Sequence, residues 1–116
     1  MKLLTKEIIE ALPEIDSLED SSTNQTKVPL KLFNPMGMGT WYIMAKTEDL
    51  LFGVCYLHEP RLGYASFSEL KELQLPFGMS IERDINWSVN STFQDVKNNL
   101  PDDYKGRFSF IEDKKD

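Results

Sequence analysis

Apolar residues fall in short groups along the chain, and the spacing inside each group predicts a structure. Ile8, Ile9 and Leu12 recur at helical intervals behind Thr5, and Pro13 closes the run. A short amphipathic helix of about two turns is expected there, too short to persist unless it docks on something. Residues 28–33, 40–46 and 50–58 are rich in β-branched and aromatic side chains and read as strands. Pro29 suggests an edge position for the first of them. The short turn at 47–49 favours an antiparallel hairpin between the other two. Residues 62–65 predict another strand. It runs into a helix over 67–73, where Ser66 and Glu69 have capping-box spacing and Pro76 with Gly78 turns the chain away.

Residues 80–89 alternate. Ile81, Ile85, Trp87 and Val89 share one face, and Ser80, Glu82, Asp84, Asn86 and Ser88 share the other, which predicts a strand with Arg83 in its apolar row. Ser91 or Thr92 can cap a last helix over 93–100, ended by Pro101. Phe108, Phe110 and Ile111 predict a short final strand, followed by a frayed tail at 112–116. Residues 16–27 are polar and turn-rich, and are expected to form a mobile connection. The element order implies a single α+β domain over 1–116, mainly an antiparallel sheet of about four to five strands with two to three short helices.

A length of 116 residues suits one domain with a core that needs no staples. The formal charge is -6, and the acidity is uneven: Lys2 and Lys6 face Glu7, Glu10, Glu14, Asp16, Glu19 and Asp20 near the start. Nucleic-acid binding draws on clustered Lys and Arg. Charge does not support it here, and a local basic face would have to be assembled from Lys27, Lys31, Lys46 and Arg61. The one cysteine, Cys55, allows neither an internal disulfide nor a cysteine-based zinc site. The opening turns polar at once and no apolar run is long enough to span a bilayer, so a cytoplasmic protein without membrane attachment is expected.

Chemistry is sparse. His58 is the only histidine, and its spacing from Cys55 puts the two on opposite faces of a strand, which argues against a Cys-His pair. Nothing repeats at metal-ligand spacing, so no catalytic residue, metal or cofactor is expected. Gly37 and Gly39 lack a following Lys-Ser/Thr and a helix, and read as turn glycines rather than a phosphate loop. Glu82 and Asp84 project from one strand face, where paired carboxylates can do acid–base work or hold Mg²⁺; a solvated face is the commoner outcome. Arg83 is tolerated on a buried face only when paired, with Glu69 or Glu72 as candidate partner. Trp41 and Tyr42 point to opposite faces, so one of them is an exposed binding anchor unless both faces of the sheet are covered. With Tyr64 from the same aromatic set, the candidate binding residues are Trp41, Tyr42, Tyr64, Glu82, Arg83 and Asp84.

Several separated blocks occur in a particular order: Met-Lys-Leu-Leu-Thr-Lys-Glu-Ile at the start, Trp41-Tyr42, Leu51-Phe52-Gly53, Leu62-Gly63-Tyr64 to Ser68-Glu69-Leu70, and Leu75-Pro76 to Ile81-Glu82-Arg83-Asp84. Over residues 1 to about 100 the chain resembles the domain of unknown function 2958 family. The resemblance implies a setting in phages, bacterial plasmids and mobile elements, and brings no activity or catalytic residue with it. Ala65 stands where a bulkier aromatic is expected, and the turn at 34–39 is particular to this chain. The functional expectation is a non-catalytic interaction or regulatory protein that binds a protein partner. The alternatives are a nucleic-acid-handling accessory protein, or a small metal-dependent hydrolase or nuclease using Glu82 and Asp84.

Overall fold

The computed structural model describes residues 2–18 and 22–111. Helix α1 (Lys6–Ala11) starts at Thr5, whose Oγ1 accepts the Ile8 N–H at 3.2 Å. Strands β1 (Leu30–Phe33), β2 (Thr40–Thr47), β3 (Leu50–Tyr56) and β4 (Pro60–Ser66) follow, then helix α2 (Phe67–Glu72), strand β5 (Glu82–Arg83) and helix α3 (Phe93–Asn99). The strands form one antiparallel sheet in the order β4-β3-β2-β1-β5. With three α-helices among the described residues, the fold is α+β, as the apolar pattern implied.

Helices lie on both faces of the sheet. On one face Leu30, Leu32, Trp41, Ile43 and Leu51 pack under Leu3, Leu4 and Ile8 from the N-terminal segment, Leu70 of α2 and Ile81. On the other, Val28, Tyr42, Met44 and Val54 pack under Phe93 and Val96 of α3, together with Leu100, Phe108 and Ile111. Each layer removes apolar side chains from water, the main favourable term in folding. Five successive residues of β2, Trp41 through Ala45, are therefore buried. A bulge adds to this. Ile43 pairs with Gly53 and Ala45 with Phe52, so Met44 is an extra residue in β2.

Asp49, in the turn between β2 and β3, was not anticipated as a structural group. Its backbone oxygen accepts the Phe67 N–H at 2.8 Å, and its carboxylate accepts the Ser68 N–H at 2.9 Å and the hydroxyls of Ser66 and Ser68 at 2.7 and 2.8 Å. Ser66 Oγ in turn accepts the Glu69 N–H at 3.2 Å. The start of α2 is thus clasped to the far end of its own hairpin. The two hydroxyls, Ser66 first, hold the Asp49 carboxyl below its ordinary value of 3.8. A depressed folded value means the clasp contributes fully above the unfolded value and is lost as pH falls through the lower one. In an NMR titration the Ser68 amide resonance is expected to move with a midpoint below 3.8, and a midpoint at or above that value would contradict the clasp.

Four expectations are corrected. The ten-residue strand over 80–89 shrinks to Glu82–Arg83, because β1 is short and offers only Leu32 and Phe33 for pairing. Beyond it, Asp84 Oδ1 accepts the Asn86 N–H at 2.9 Å and Asp84 O accepts the Trp87 N–H, so an Asx turn replaces the ladder and Ile85 is left exposed. Residues 108–111 form turns rather than a strand: Ser109 N–H bonds Gly106 O and Ile111 N–H bonds Phe108 O, which sends Phe108 and Ile111 inward and Phe110 outward. Strand β1 lies inside the sheet, since Pro29 precedes the ladder and removes no bond from it. In α1 only Ile8 is buried; Ile9 faces solvent. Residues 19–21 of the connection and the tail 112–116 lie outside the described residues. Thr26 O and Asn24 O, within 22–27, accept the Phe93 and Gln94 N–H groups and help cap α3.

Candidate functional site

The strand pairings place Glu82 opposite Phe33 and Arg83 opposite Leu32. Glu82 and Asp84 therefore share the face that carries α3, and Arg83 points to the other, as the alternation required. On its own face Asp84 meets Lys31 at 3.2 Å, and the Lys31 ammonium also lies 5.6 Å from the ring centres of both Tyr42 and Trp87. Arg83 Nε donates to the Lys2 backbone oxygen at 3.1 Å, so the N-terminal segment provides a partner for it. These residues do line a depression, of about 450 Å³, together with Phe33, Thr40, Ile85 and Asn86. Of its two carboxylates, Asp84 is already held by the Lys31 ammonium, and the apolar side chain of Ile85 at its rim faces solvent. Among the described residues no group of three or more His, Cys, Asp or Glu side chains is placed to share a metal ion.

Trp41 and Tyr42 are both buried, at 7% and 4% exposure, and neither offers a ring to a partner. The reason is the double cover: α1 and α2 close over Trp41, α3 and the C-terminal turns over Tyr42. Burial pushes the Tyr42 hydroxyl up to about 12. Tyr64 is exposed on β4, with its ring tilted against Phe52 at 5.1 Å. Cys55 and His58 line one depression at the end of the β3–β4 hairpin, because the strand ends at Tyr56 before His58 is reached. Burial pushes the Cys55 thiol up, which disfavours the thiolate a nucleophile needs. The basic residues do not gather. Lys27 bonds Asn90 O, Lys31 meets Asp84, Lys46 bonds Glu48 O, and Arg61 pairs with Glu59 at the opposite end of the sheet from Lys46.

The feature that sequence reasoning missed lies in the loop between α2 and β5. Phe77 is 90% exposed and has a left-handed backbone, φ 60° and ψ 28°. Gly78 follows at φ 72°. Met79 N–H donates to Pro76 O at 3.2 Å and Leu75 N–H to Met79 O at 3.0 Å, so the loop is a tight turn whose two central residues are both left-handed. Asn or Gly is the usual occupant of such a position, because a bulky side chain there is strained by about 1–3 kcal/mol. A phenylalanine in that place neither packs nor relieves strain. Leu73 and Met79 flank it, both exposed, and extend the apolar surface along the loop. The signal was present as Leu-Pro-Phe-Gly-Met, with an aromatic where a turn asks for a small polar residue.

The fold and its rim define a small α+β protein with a five-stranded antiparallel sheet covered on both faces. The family model of a protein of unknown function, DUF2958, matches residues 3–97, and the chain belongs to that family. The match takes in every strand and most of α3, while Leu100, Phe108 and Ile111, which complete the second core, lie beyond it. No curated protein and no solved structure matches the chain. Among the described residues no helix is long and apolar enough to cross a membrane.

Proposed function

We propose that this chain is a non-catalytic interaction protein of a phage or mobile element. It acts in the cytoplasm and binds a protein partner through the loop at residues 73–80. The observation that carries the reading is Phe77: a fully presented aromatic ring on a backbone that disfavours it, flanked by exposed Leu73 and Met79. Strain kept at an exposed position that gives the fold nothing in return points to a role in recognition. An aromatic of this kind is a typical anchor of a protein interface, because a large rigid ring loses little entropy on burial.

The test separates binding from folding. Phe77→Asn relieves the left-handed backbone and removes the ring. It is expected to raise stability by about 1 kcal/mol in urea denaturation. In affinity capture from the native host, the proteins retained by the tagged wild type are expected to be absent with Phe77→Asn. An identical set of retained proteins from both forms would remove the loop from the interface.

A further inference from the structure

The two edges of the sheet differ. Strand β5 has two residues, which leaves little to pair with. Strand β4 has seven, and among the described residues nothing pairs with its outer side. Its register with β3 runs unbroken from Pro60 to Ser66, so no bulge turns it away. Proteins usually blunt such an edge with an inward charge, a central proline or a bulge. Here Pro60 and Arg61 stand at one end, and Leu62, Gly63, Tyr64, Ala65 and Ser66 carry no charge.

Charge is polarised along this edge. At the Pro60 end, Arg61 and Arg107 share the single carboxylate of Glu59, Arg107 at 3.4 Å. At the Ser66 end, Glu48 and Asp49 lie in the turn beside Ser66, Glu14 accepts the Thr47 hydroxyl, Glu69 lies in the first turn of α2 and Glu72 ends that helix; Lys46 and Lys71 oppose them. Asp102, Asp103 and Lys105 flank Tyr104 at the Pro60 end and bring it near balance, so Arg61 stands at a near-neutral end of the strand and the Ser66 end is acidic. We infer that β4 pairs with the β4 of a second copy of this chain, antiparallel about a two-fold axis, to make a continuous ten-stranded sheet. Only the antiparallel arrangement sets the Arg61 end of each copy against the acidic end of the other, and it does so twice. The register with full overlap places Gly63 opposite Gly63, Leu62 opposite Tyr64 and Arg61 opposite Ala65. The Leu62–Tyr64 pairs then meet on the face where Tyr64 already packs on Phe52. A single strand pair buries less than the ~1,200 Å² of a standard interface, so the dimer dissociates in the micromolar range or above.

Light scattering after size exclusion, run from about 10 μM to about 1 mM, is expected to show mass rising from monomer to dimer. Arg61→Glu is expected to raise the dissociation constant roughly tenfold, and the swap Arg61→Glu with Glu69→Arg to restore it. Raised salt weakens the wild-type dimer. Amide exchange supplies a readout of the surface itself: residues 61–66 gain protection with concentration. A chain that stays monomeric throughout overturns the inference. So does a dimer that is indifferent to Arg61→Glu, one the swap fails to restore, or one whose β4 amides exchange as fast as in the monomer.

Discussion

Gly53→Ala is expected to lower stability by about 3 kcal/mol, the upper end of what overpacking costs. A Cβ at this position would stand 1.9 Å from the Tyr42 carbonyl oxygen and 2.9 Å from Ile43 Cα. Those atoms are backbone and cannot swing aside as a side chain would. They belong to the strand that bulges at Met44, so Gly53 is the residue that lets β2 press against β3 where the register slips. Gly63, directly across the sheet from Gly53, is the control. A Cβ there meets only Cys55 Sγ at 4.0 Å, and Gly63→Ala should fall within about 1 kcal/mol of the wild type. Urea denaturation of both variants, with unchanged m values, measures the contrast. A Gly53→Ala loss no larger than that of Gly63→Ala would show that the close approach is not real.

Trp41→Ala is expected to cost about 3–5 kcal/mol, the range for truncating a large buried aromatic. The ring lies in the core between β2 and the N-terminal segment. The turn before β2 is shaped around it: Gly39 has φ 134°, and a Cβ there would come within 2.9 Å of the indole. A binding anchor would behave otherwise, losing affinity on truncation while stability stayed level. A midpoint shift under about 1 kcal/mol for Trp41→Ala would return this residue to the surface. The expected pattern is a reciprocal one: truncation at Trp41 unfolds without a specific effect on binding, and substitution at Phe77 abolishes binding without unfolding.

What was legible in the sequence was mostly local. Thr5, Ser66 and Thr92 announced their helices because capping is a matter of a few neighbouring residues, and Asp95 does accept the Thr92 N–H at 2.8 Å. The β2–β3 hairpin could be read from two strand-forming runs and a short turn. Periodicity misled where polar side chains took over the backbone. Residues 80–89 alternate well, yet Asp84 diverts the chain, and an alternating pattern has no way to register that. Phe108 and Ile111 are three apart, a spacing that brings both to one side of a helical turn and would put them on opposite faces of a strand.

The site was less legible than the fold. Whether Trp41 or Tyr42 would be exposed depended on how many layers cover the sheet, and that is decided by residues far along the chain: Leu3 and Leu4 on one side, Phe93 and Phe108 on the other. The role of Asp49 rests on a reach of 17 residues to Ser66 and 19 to Ser68, beyond any local rule. Phe77 shows the opposite case. Its neighbours Pro76 and Gly78 marked a turn, but only the backbone angles reveal that the ring occupies a place where it does not help the fold.

The bonds from Asp49 to Ser66 and Ser68 shut the open end of the β3–β4 hairpin, the end from which such a pair of strands would otherwise fray, and the loop joining the strands closes the other. Both ends of the marginal strand are thereby tethered, so it separates from its neighbour only after the Asp49 bonds break.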